Sequence, residues 1–428
     1  MLFCNIDLLD EHFLLRRGQF VGVRDGRVAY IGETAPVGDW GEQYDGRHRL
    51  LLPGFFNVHS HAPMTLLRGY AENLPLQRWL NEKVFPFEDH LSAEAVYYAT
   101  QLAIAEMLAC GTVSFTDMYF HTEAMAKAVL ESGVKCNLSR GLTVFDDSEY
   151  AQTEASRDNE ILLRDYHGTG EGRLLVDLCI HGEYTSTPKV VDAVAAQAKE
   201  HGVRMHIHLS ETQTEHEECK QRHGMTPAAY MQAHGVFDVP TTAAHCVWIE
   251  GDDFEILAQH GVTVACCPAS NLKLASGYAN VPEMHRRGIN VALGTDGAAS
   301  NNNLNILQDL YLYAVAYKGY YHDSTLITPE QALFTATRAG ALSQGRADSG
   351  LLKVGNRADL CVINTDTPQF TPMTAPACNV VYAAQGADVR LTMVDGEVLY
   401  RDGEYLTLDI ERVKAGVQRH TDAILASL

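Results

Sequence analysis

The stretch Pro53-Gly54-Phe55-Phe56-Asn57-Val58-His59-Ser60-His61-Ala62-Pro63-Met64 decides how the rest of the chain is read. The apolar run Leu50, Leu51, Leu52 leads into a Pro-Gly turn, and Phe55 to His61 then reads as a short buried strand ended by Pro63. Alternate side chains of a strand share a face, so His59 and His61 project together. Two imidazoles held side by side at the end of a buried strand make half of a metal site. A His-x-His pair near a turn is common by chance, so its weight comes from what surrounds it.

Outward from this strand, residues 53 to about 345 alternate short apolar segments with longer amphipathic ones. Val113–Asp117, Leu174–Ile180, Arg204–Leu209, Thr242–Cys246, Val262–Cys266 and Asn290–Leu293 read as buried strands. Ala93–Ala109, Pro188–His201 and Pro227–His234 read as helices. Strand and helix in regular succession predict a parallel sheet, and at 428 residues a closed barrel with its chemistry at the carboxyl ends of the strands. Both ends of the chain have β texture instead, with Asp25-Gly26 and Asp395-Gly396 as hairpin turns. The expected fold is α/β. Residues 1–52 form the N-terminal half of a small β-sandwich, residues 53–348 a (β/α)8 TIM-like barrel, and residues 349–428 the other half plus a terminal helix from Leu408.

A hydrophobic share of 46% with 20% charged residues is that of a soluble globular protein. The net charge of -21 argues against a nucleic-acid partner, because phosphate binding needs clustered Lys and Arg. No uninterrupted apolar run reaches the roughly 18 residues of a membrane span. The start, Met1-Leu2-Phe3-Cys4, lacks the basic region and apolar core of a signal peptide. Ten scattered cysteines without a Cys-x-x-Cys read as reduced thiols, so the expected location is cytoplasmic.

Three further stretches carry chemistry. In Met205-His206-Ile207-His208-Leu209-Ser210-Glu211 the two histidines share a face and Glu211 falls just past the strand end. A histidine there can bind metal, while a carboxylate three residues on can reach the reacting atom without being a ligand. His208 is the expected ligand and His206 a deeper supporting residue. His245, in Ala243-Ala244-His245-Cys246, taken alone reads as a buried, hydrogen-bonded histidine. Asp296, in Gly294-Thr295-Asp296-Gly297, lies where a barrel strand ends, the place for a ligand or base, although Asp-Gly turns are common.

Taken together, the motifs around His59, His208, His245 and Asp296 resemble the amidohydrolase superfamily. Within it, Ser270-Asn271-Leu272-Lys273-Leu274-Ala275-Ser276-Gly277 and Asp296-Gly297-Ala298-Ala299-Ser300-Asn301-Asn302 are similar to the methylthioadenosine/S-adenosylhomocysteine deaminases, as is Gly355-Asn356-Arg357-Ala358-Asp359-Leu360. The resemblance implies that His59, His61, His208 and Asp296 hold one divalent metal, most often zinc, with iron in some relatives. Asp296 would take the proton of the attacking water, His245 would steady the hydroxide, and Glu211 would protonate the ring nitrogen and then the leaving ammonia. Two-metal relatives carry a bridging lysine on the fourth strand, and Leu174 to Tyr184 contains none. On the substrate side the resemblance implies Trp79, Glu88, His181 and Ser300, with Arg140 and Arg157 as candidates for an amino-acid carboxylate. An amphipathic helix with a core Trp accounts equally well for Trp79 and a helix cap for Ser300, and for each arginine a solvated surface position is the stronger reading.

Two departures bear on specificity and metal content. Cys266-Cys267-Pro268 stands where relatives often have His-Asn-Pro; neighbouring strand residues face opposite ways, so these read as reduced thiols. After His181, Gly182-Glu183-Tyr184 brings a carboxylate near the pocket with no clear arginine to balance it, which predicts poor tolerance of an anionic homocysteine tail. The implied activity is hydrolytic deamination of adenosine-type nucleosides (adenosine, 5'-deoxyadenosine, methylthioadenosine, S-adenosylhomocysteine) to inosine-type products and ammonia. Hydrolysis of another heteroaromatic ring, of guanine or triazine type, is the competing enzyme reading. A non-catalytic metal-binding scaffold is the other, against which Glu211, His245 and Asp296 together argue. The expected partner is a small purine nucleoside, with no nucleic acid and no membrane, and the resemblance implies a homo-oligomer.

Overall fold

The structure, a computed structural model, describes residues 1–146 and 148–428. The chain opens with β1 (Leu2–Leu9), β2 (Leu15–Arg24), β3 (Arg27–Gly32), β4 (Gln43–Asp45) and β5 (Arg49–Pro53). Asp25 and Gly26, at φ 51° and 71°, make the tight turn between β2 and β3. Both central residues are left-handed there, which matches the twist of a hairpin and favours Asp-Gly.

The barrel strands follow: β6 (Phe55–Ser60), β7 (Thr112–Tyr119), β8 (Lys135–Arg140), β9 (Leu174–Val176), β10 (Leu178–Ile180), β11 (Met205–Leu209), β12 (Thr241–His245), β13 (Thr263–Cys266) and β14 (Val291–Leu293). They pair in parallel as β6-β7-β8-β9 and β10-β11-β12-β13-β14. β9 and β10 are one barrel strand interrupted at Asp177. The Asp177 amide donates to Leu138 O at 3.0 Å, and the next amide, Leu178, turns to Arg204 O at 2.8 Å. The circle closes where the Asp296 amide donates to His59 O at 3.0 Å and the Thr295 amide to Asn57 Oδ1 at 3.0 Å. A side chain on Gly294 would put its Cβ 2.9 Å from that of His59 and 3.0 Å from Cys267 Sγ, so glycine is what lets the last strand approach the first. The result is a (β/α)8 barrel.

The helices begin and end where the local chemistry directs. Ala93–Ala109 starts at Ser92, whose hydroxyl accepts from the Ala95 amide at 3.2 Å. Pro188–His201 has proline in its first turn and stops at left-handed Gly202. One barrel strand, β8, is not apparent from the sequence pattern. Its Lys135, Asn137 and Ser139 look like a solvated edge, yet the whole strand is buried. The Lys135 ammonium meets Asp359 at 2.6 Å and Asp395 at 2.7 Å, Asn137 donates to Asp177 at 3.0 Å, and Ser139 to Asp117 O at 2.9 Å. All these partners lie far away in the sequence, so nothing local reveals the strand.

After the barrel come β15 (Leu360–Asn364), β16 (Val389–Val394), β17 (Glu397–Arg401) and β18 (Glu404–Tyr405). They join the first strands in one hydrogen-bonded path, β18-β17-β16-β15-β5-β1-β2-β3, with β4 also pairing to β1. The path folds over itself: Val28 exchanges backbone bonds with Gly355 and Asn356, and the Ala358 amide donates to Gly26 O at 2.8 Å. Between its halves lies a core that includes Phe3, Ile6, Leu8, Val21, Leu360 and Met393. The terminal helix, Ile410–Leu425, lays Gly416 against the Tyr98 ring on Ala93–Ala109. Among the described residues no helix is long and apolar enough to cross a membrane.

Candidate active site

Six polar side chains converge at the carboxyl ends of β6, β11, β12 and β14. His59 and His61 lie on one face, and their Nε2 atoms are each 3.3 Å from Asp296 Oδ1. His208 Nε2 is 3.3 Å from His61 Nε2. Carbonyl partners fix the tautomers. His61 Nδ1 donates to Met118 O at 2.8 Å and His208 Nδ1 to His181 O at 2.6 Å, so both Nδ1 atoms carry the proton. The two Nε2 lone pairs therefore face each other across 3.3 Å, which is repulsive unless a cation lies between them.

His59 Nε2 is fully buried and has no hydrogen-bond partner, while its Nδ1 is braced 2.9 Å from His206 Nε2. Burial lowers the pKa of all three imidazoles, His59 to about 4, which leaves them neutral and free to donate electron pairs. Asp296 stays ionised: burial opposes this, but the surrounding histidines outweigh it and hold its carboxyl well below the usual range. Ser270 and Ser300 donate to its Oδ2 at 2.6 and 2.9 Å, and the Gly297 amide to its Oδ1 at 2.8 Å. Three neutral nitrogens, that of His59 buried and orphaned, and one carboxylate fit a divalent metal; His59, His61 and Asp296 form one close group of donors and His59, His208 and His245 another. His206 braces the set from behind, with its Nδ1 buried and unpaired.

Beside the donor set stand His245 and Glu211. His245 Nδ1 donates to Asn271 Oδ1 at 2.9 Å, and its Nε2 lies 3.8 Å from Glu211 Oε2. Glu211 is 6% exposed; burial raises its pKa, His245 opposes this and Asp296 adds to it, leaving the carboxyl above its ordinary range. A carboxyl tuned this way can give and retake a proton during a reaction. Three strand-end residues here, Ser210, His245 and Asp296, have positive φ of 48°, 72° and 61°. Non-glycine residues adopt that region reluctantly, and such backbone strain clusters where side chains must be aimed.

The pocket above is walled by Leu76, Trp79, Leu80, Val84, Met118 and Tyr119, with His181, Glu88 and Leu274 at its sides. The helical segment Leu76–Trp79, Leu80–Val84, Phe85–Glu88 roofs it, and its middle turn is a π-helix, a rare form that re-aims side chains. Trp79 is buried, donates Nε1–H to Ala71 O at 3.1 Å and faces the pocket, so core packing and lining coincide in one residue. Glu88 Oε1 is buried without a partner, and burial pushes the Glu88 carboxyl up to about 8.

Other expected residues are placed differently. Ser300 is not in the wall; its hydroxyl is engaged by Asp296. Arg157 is exposed and away from the pocket. Arg140 lines an adjoining groove rather than the pocket, donates to Asp158 at 2.7 Å and stacks 4.8 Å from the Phe120 ring. Glu183 is not an unbalanced charge: it is buried, accepts from Arg222 Nε at 3.1 Å and from His223 Nε2 at 2.7 Å, and lies outside the wall. Its partners come from the helix Gln213–His223, which the local sequence around Glu183 does not reveal. Cys266 packs beside the Tyr317 hydroxyl at 3.1 Å and Cys267 beside Ala265 O, on different sides of the chain. Ser270, Asn271 and Glu215 also support the site, although the residue pattern alone assigns them no role. The signals that point to them are the Ser270-Asn271 motif and the carboxylate four residues after Glu211.

The profile of the amidohydrolase family matches residues 50–399, and the chain belongs to that family. Its relatives include the 5-methylthioadenosine/S-adenosylhomocysteine deaminase of Moorella thermoacetica, 42% identical over 403 residues and covering 93% of this chain and 94% of the relative. The 5'-deoxyadenosine deaminase of Methanothermobacter thermautotrophicus is 40% identical over 395 residues, covering 92% of each. Among solved structures, an adenosine deaminase from Xanthomonas campestris with bound zinc superposes with a TM-score of 0.92 at 27% identity, covering 99% of this chain and 98% of the other. An atrazine chlorohydrolase from Arthrobacter aurescens, complexed with zinc, shares the fold at 22% identity and TM-score 0.91, over 98% and 99%.

Proposed function

We propose that this chain is a metal-dependent hydrolase that deaminates adenosine-type nucleosides, and that it does so with one zinc ion per subunit in a reducing, cytoplasmic setting. The observation that carries the reading is Glu211, a buried carboxyl with raised pKa placed beside His245 and the His59, His61, His208, Asp296 donor set. Relatives named as nucleoside deaminases at about 40% identity over most of the chain support it. The absence of lysine from Leu174 to Tyr184 supports a single metal, zinc-containing neighbours support its identity, and ten unpaired cysteines support the setting.

His59, His61, His208 and Asp296 would hold the metal, which when bound activates water near neutral pH and acts as a Lewis acid. Asp296 Oδ1, which accepts from the Gly297 amide, faces the donor point and would take a proton from the attacking water, while Oδ2 is anchored by two serine hydroxyls. His245 Nε2, oriented by Asn271, hydrogen-bonds to the attacking oxygen. Glu211 protonates the ring nitrogen beside the carbon under attack, then carries a proton to the amino group, which leaves as ammonia. Water supplies the oxygen of the inosine-type product, so the atoms balance without any further reactant.

Glu88 is the residue that separates nucleosides from free bases. Its unpartnered Oε1 is positioned for a ribose hydroxyl, so nucleosides should greatly outperform free adenine. Removing the partner of a buried polar group costs about 1–3 kcal/mol, so Glu88→Ala should lose roughly ten- to hundredfold in kcat/KM on nucleosides. Steady-state kinetics on adenosine and adenine check this; equal activity on guanine or a triazine would support the other heteroaromatic reading instead.

A groove adjoins the pocket at Phe85, Glu88, Phe120 and Thr143, and it is the place we assign to the 5' end of the substrate. Asp89, Glu123, Glu154 and Asp158 line it against the single guanidinium of Arg140, which Asp158 already pairs. The charge that disfavours an anionic tail is therefore this groove and not Glu183. Adenosine, 5'-deoxyadenosine and methylthioadenosine should exceed S-adenosylhomocysteine in kcat/KM, and Glu154→Gln should narrow the gap by roughly fivefold, the effect of about 1 kcal/mol of charge repulsion. S-adenosylhomocysteine as the best substrate would show the electrostatic argument to be wrong.

A further inference from the structure

We propose that Glu215 is a positioning residue of the reaction, holding the Ser210-Glu211 turn in the conformation that aims Glu211 into the pocket. The assignment rests on the deaminase reading above. Ser210 is fully buried and sits at φ 48°, in the left-handed region that a serine adopts only when its surroundings impose it. This turn rotates the chain as it leaves β11, so that His208 before it and Glu211 after it both face the pocket.

What imposes the turn is one carboxylate. Glu215 Oε1 accepts from the Ser210 amide at 2.9 Å and Oε2 from the Glu211 amide at 2.7 Å. A carboxylate is acceptor-only, and here each oxygen meets one N–H of two successive residues. The arrangement differs from ordinary helix capping. Thr212 already caps the helix Gln213–His223, its hydroxyl accepting from the Glu215 amide at 3.2 Å. A glutamate at this position in a capping box would return to the amide of the cap residue itself. Glu215 reaches past Thr212 to the two residues before it.

Other groups around the turn secure it without replacing the clamp. The Trp248 amide donates to Ser210 O at 2.9 Å. The Ser210 hydroxyl lies 3.2 Å from His216 Nδ1, and His216 Nε2 lies 3.2 Å from Glu250 Oε1, which also accepts from Lys220 at 2.9 Å. These contacts fix the serine side chain and carbonyl. Among the described residues only Glu215 fixes both amides, and through the second of them the backbone from which Glu211 projects. Glu215 itself is 3% exposed, is not one of the metal donors and does not line the pocket, so it acts through Glu211, which does.

The test is steady-state kinetics on an adenosine-type nucleoside with the metal-loaded, full-length protein. Turnover by the unmodified protein is measured first; its absence overturns the deaminase reading and the role of Glu215 with it. Given turnover, Glu215→Gln replaces one acceptor by an NH2 group that faces an amide donor. It should lower kcat about 10–100-fold, since a misplaced catalytic group of the order of 1 Å costs about that much. KM should change by less than about threefold, with metal content unchanged. In the Glu211→Gln background the same change should add almost nothing, because the group it positions is already gone. Ser210→Gly, which adopts the left-handed turn without help, should restore part of the kcat lost in Glu215→Gln. Should Glu215→Gln not accumulate as folded protein, Glu215→Asp, whose shorter arm reaches only one amide, takes its place with the same expectations. Unaltered kcat, a loss confined to KM, or full additivity with Glu211→Gln would overturn the assignment while leaving the deaminase reading intact.

Discussion

Glu211→Gln should bind metal and nucleoside as the unmodified protein does and turn over about 10²–10⁴-fold more slowly, the range a positioned general acid and base contributes. The glutamine is nearly isosteric and keeps an oxygen for the Ser276 hydroxyl, which donates to Glu211 Oε1 at 3.3 Å. The backbone bonds to Glu215 are untouched. What it loses is the proton that burial lets the carboxyl retain. Single-turnover kinetics with elemental analysis of the same sample check this. Near-normal turnover would place the proton shuttle elsewhere, and loss of metal would make Glu211 a ligand.

The largest effect is expected at the donor set. His61→Ala and His208→Ala should each lose bound metal and detectable activity together. Each histidine presents an Nε2 lone pair to the shared point because its Nδ1 proton is committed to a carbonyl, Met118 O or His181 O. Truncation at His61 also takes the imidazole donor from Met118 O, whereas His181 O keeps the His208 backbone amide at 3.1 Å. Losing a buried hydrogen bond costs about 1–3 kcal/mol to folding, so circular dichroism accompanies the metal measurement. Ser270→Ala, which removes only one hydroxyl from Asp296 Oδ2, should retain metal under the same conditions. Two metal equivalents in fully active unmodified protein would rule out the single-metal assignment.

Much of this architecture is legible in the residue pattern alone. The period-two face of Phe55 to His61, the alternation of apolar strands with capped helices, and the Asp-Gly turns are local signals, set by backbone geometry and short-range hydrogen bonds. So are the bounds of Ala93–Ala109 and Pro188–His201, which coincide with the helices observed because Ser92, Pro188 and Gly202 mark their ends. β8 escapes such a reading because the partners that satisfy Lys135, Asn137 and Ser139 are supplied by distant parts of the chain.

The residue types of the site are legible too, but not their partnerships. That His59, His61, His208, His245, Glu211 and Asp296 belong to strand ends follows from motif and periodicity. Which nitrogen of each histidine faces the common point depends on Met118 O, His181 O and Asn271, groups that only closure of the barrel brings near. The same holds for charge. Glu183 beside His181 reads as an unbalanced carboxylate until the helix Gln213–His223 delivers Arg222 and His223 to it, and Ser300 reads as a pocket residue until Asp296 claims its hydroxyl. Local order along the chain specifies elements and the side each residue faces. Pairing across the barrel is a long-range property, and burial makes it decisive, because a buried polar group must take whichever partner the fold places within reach.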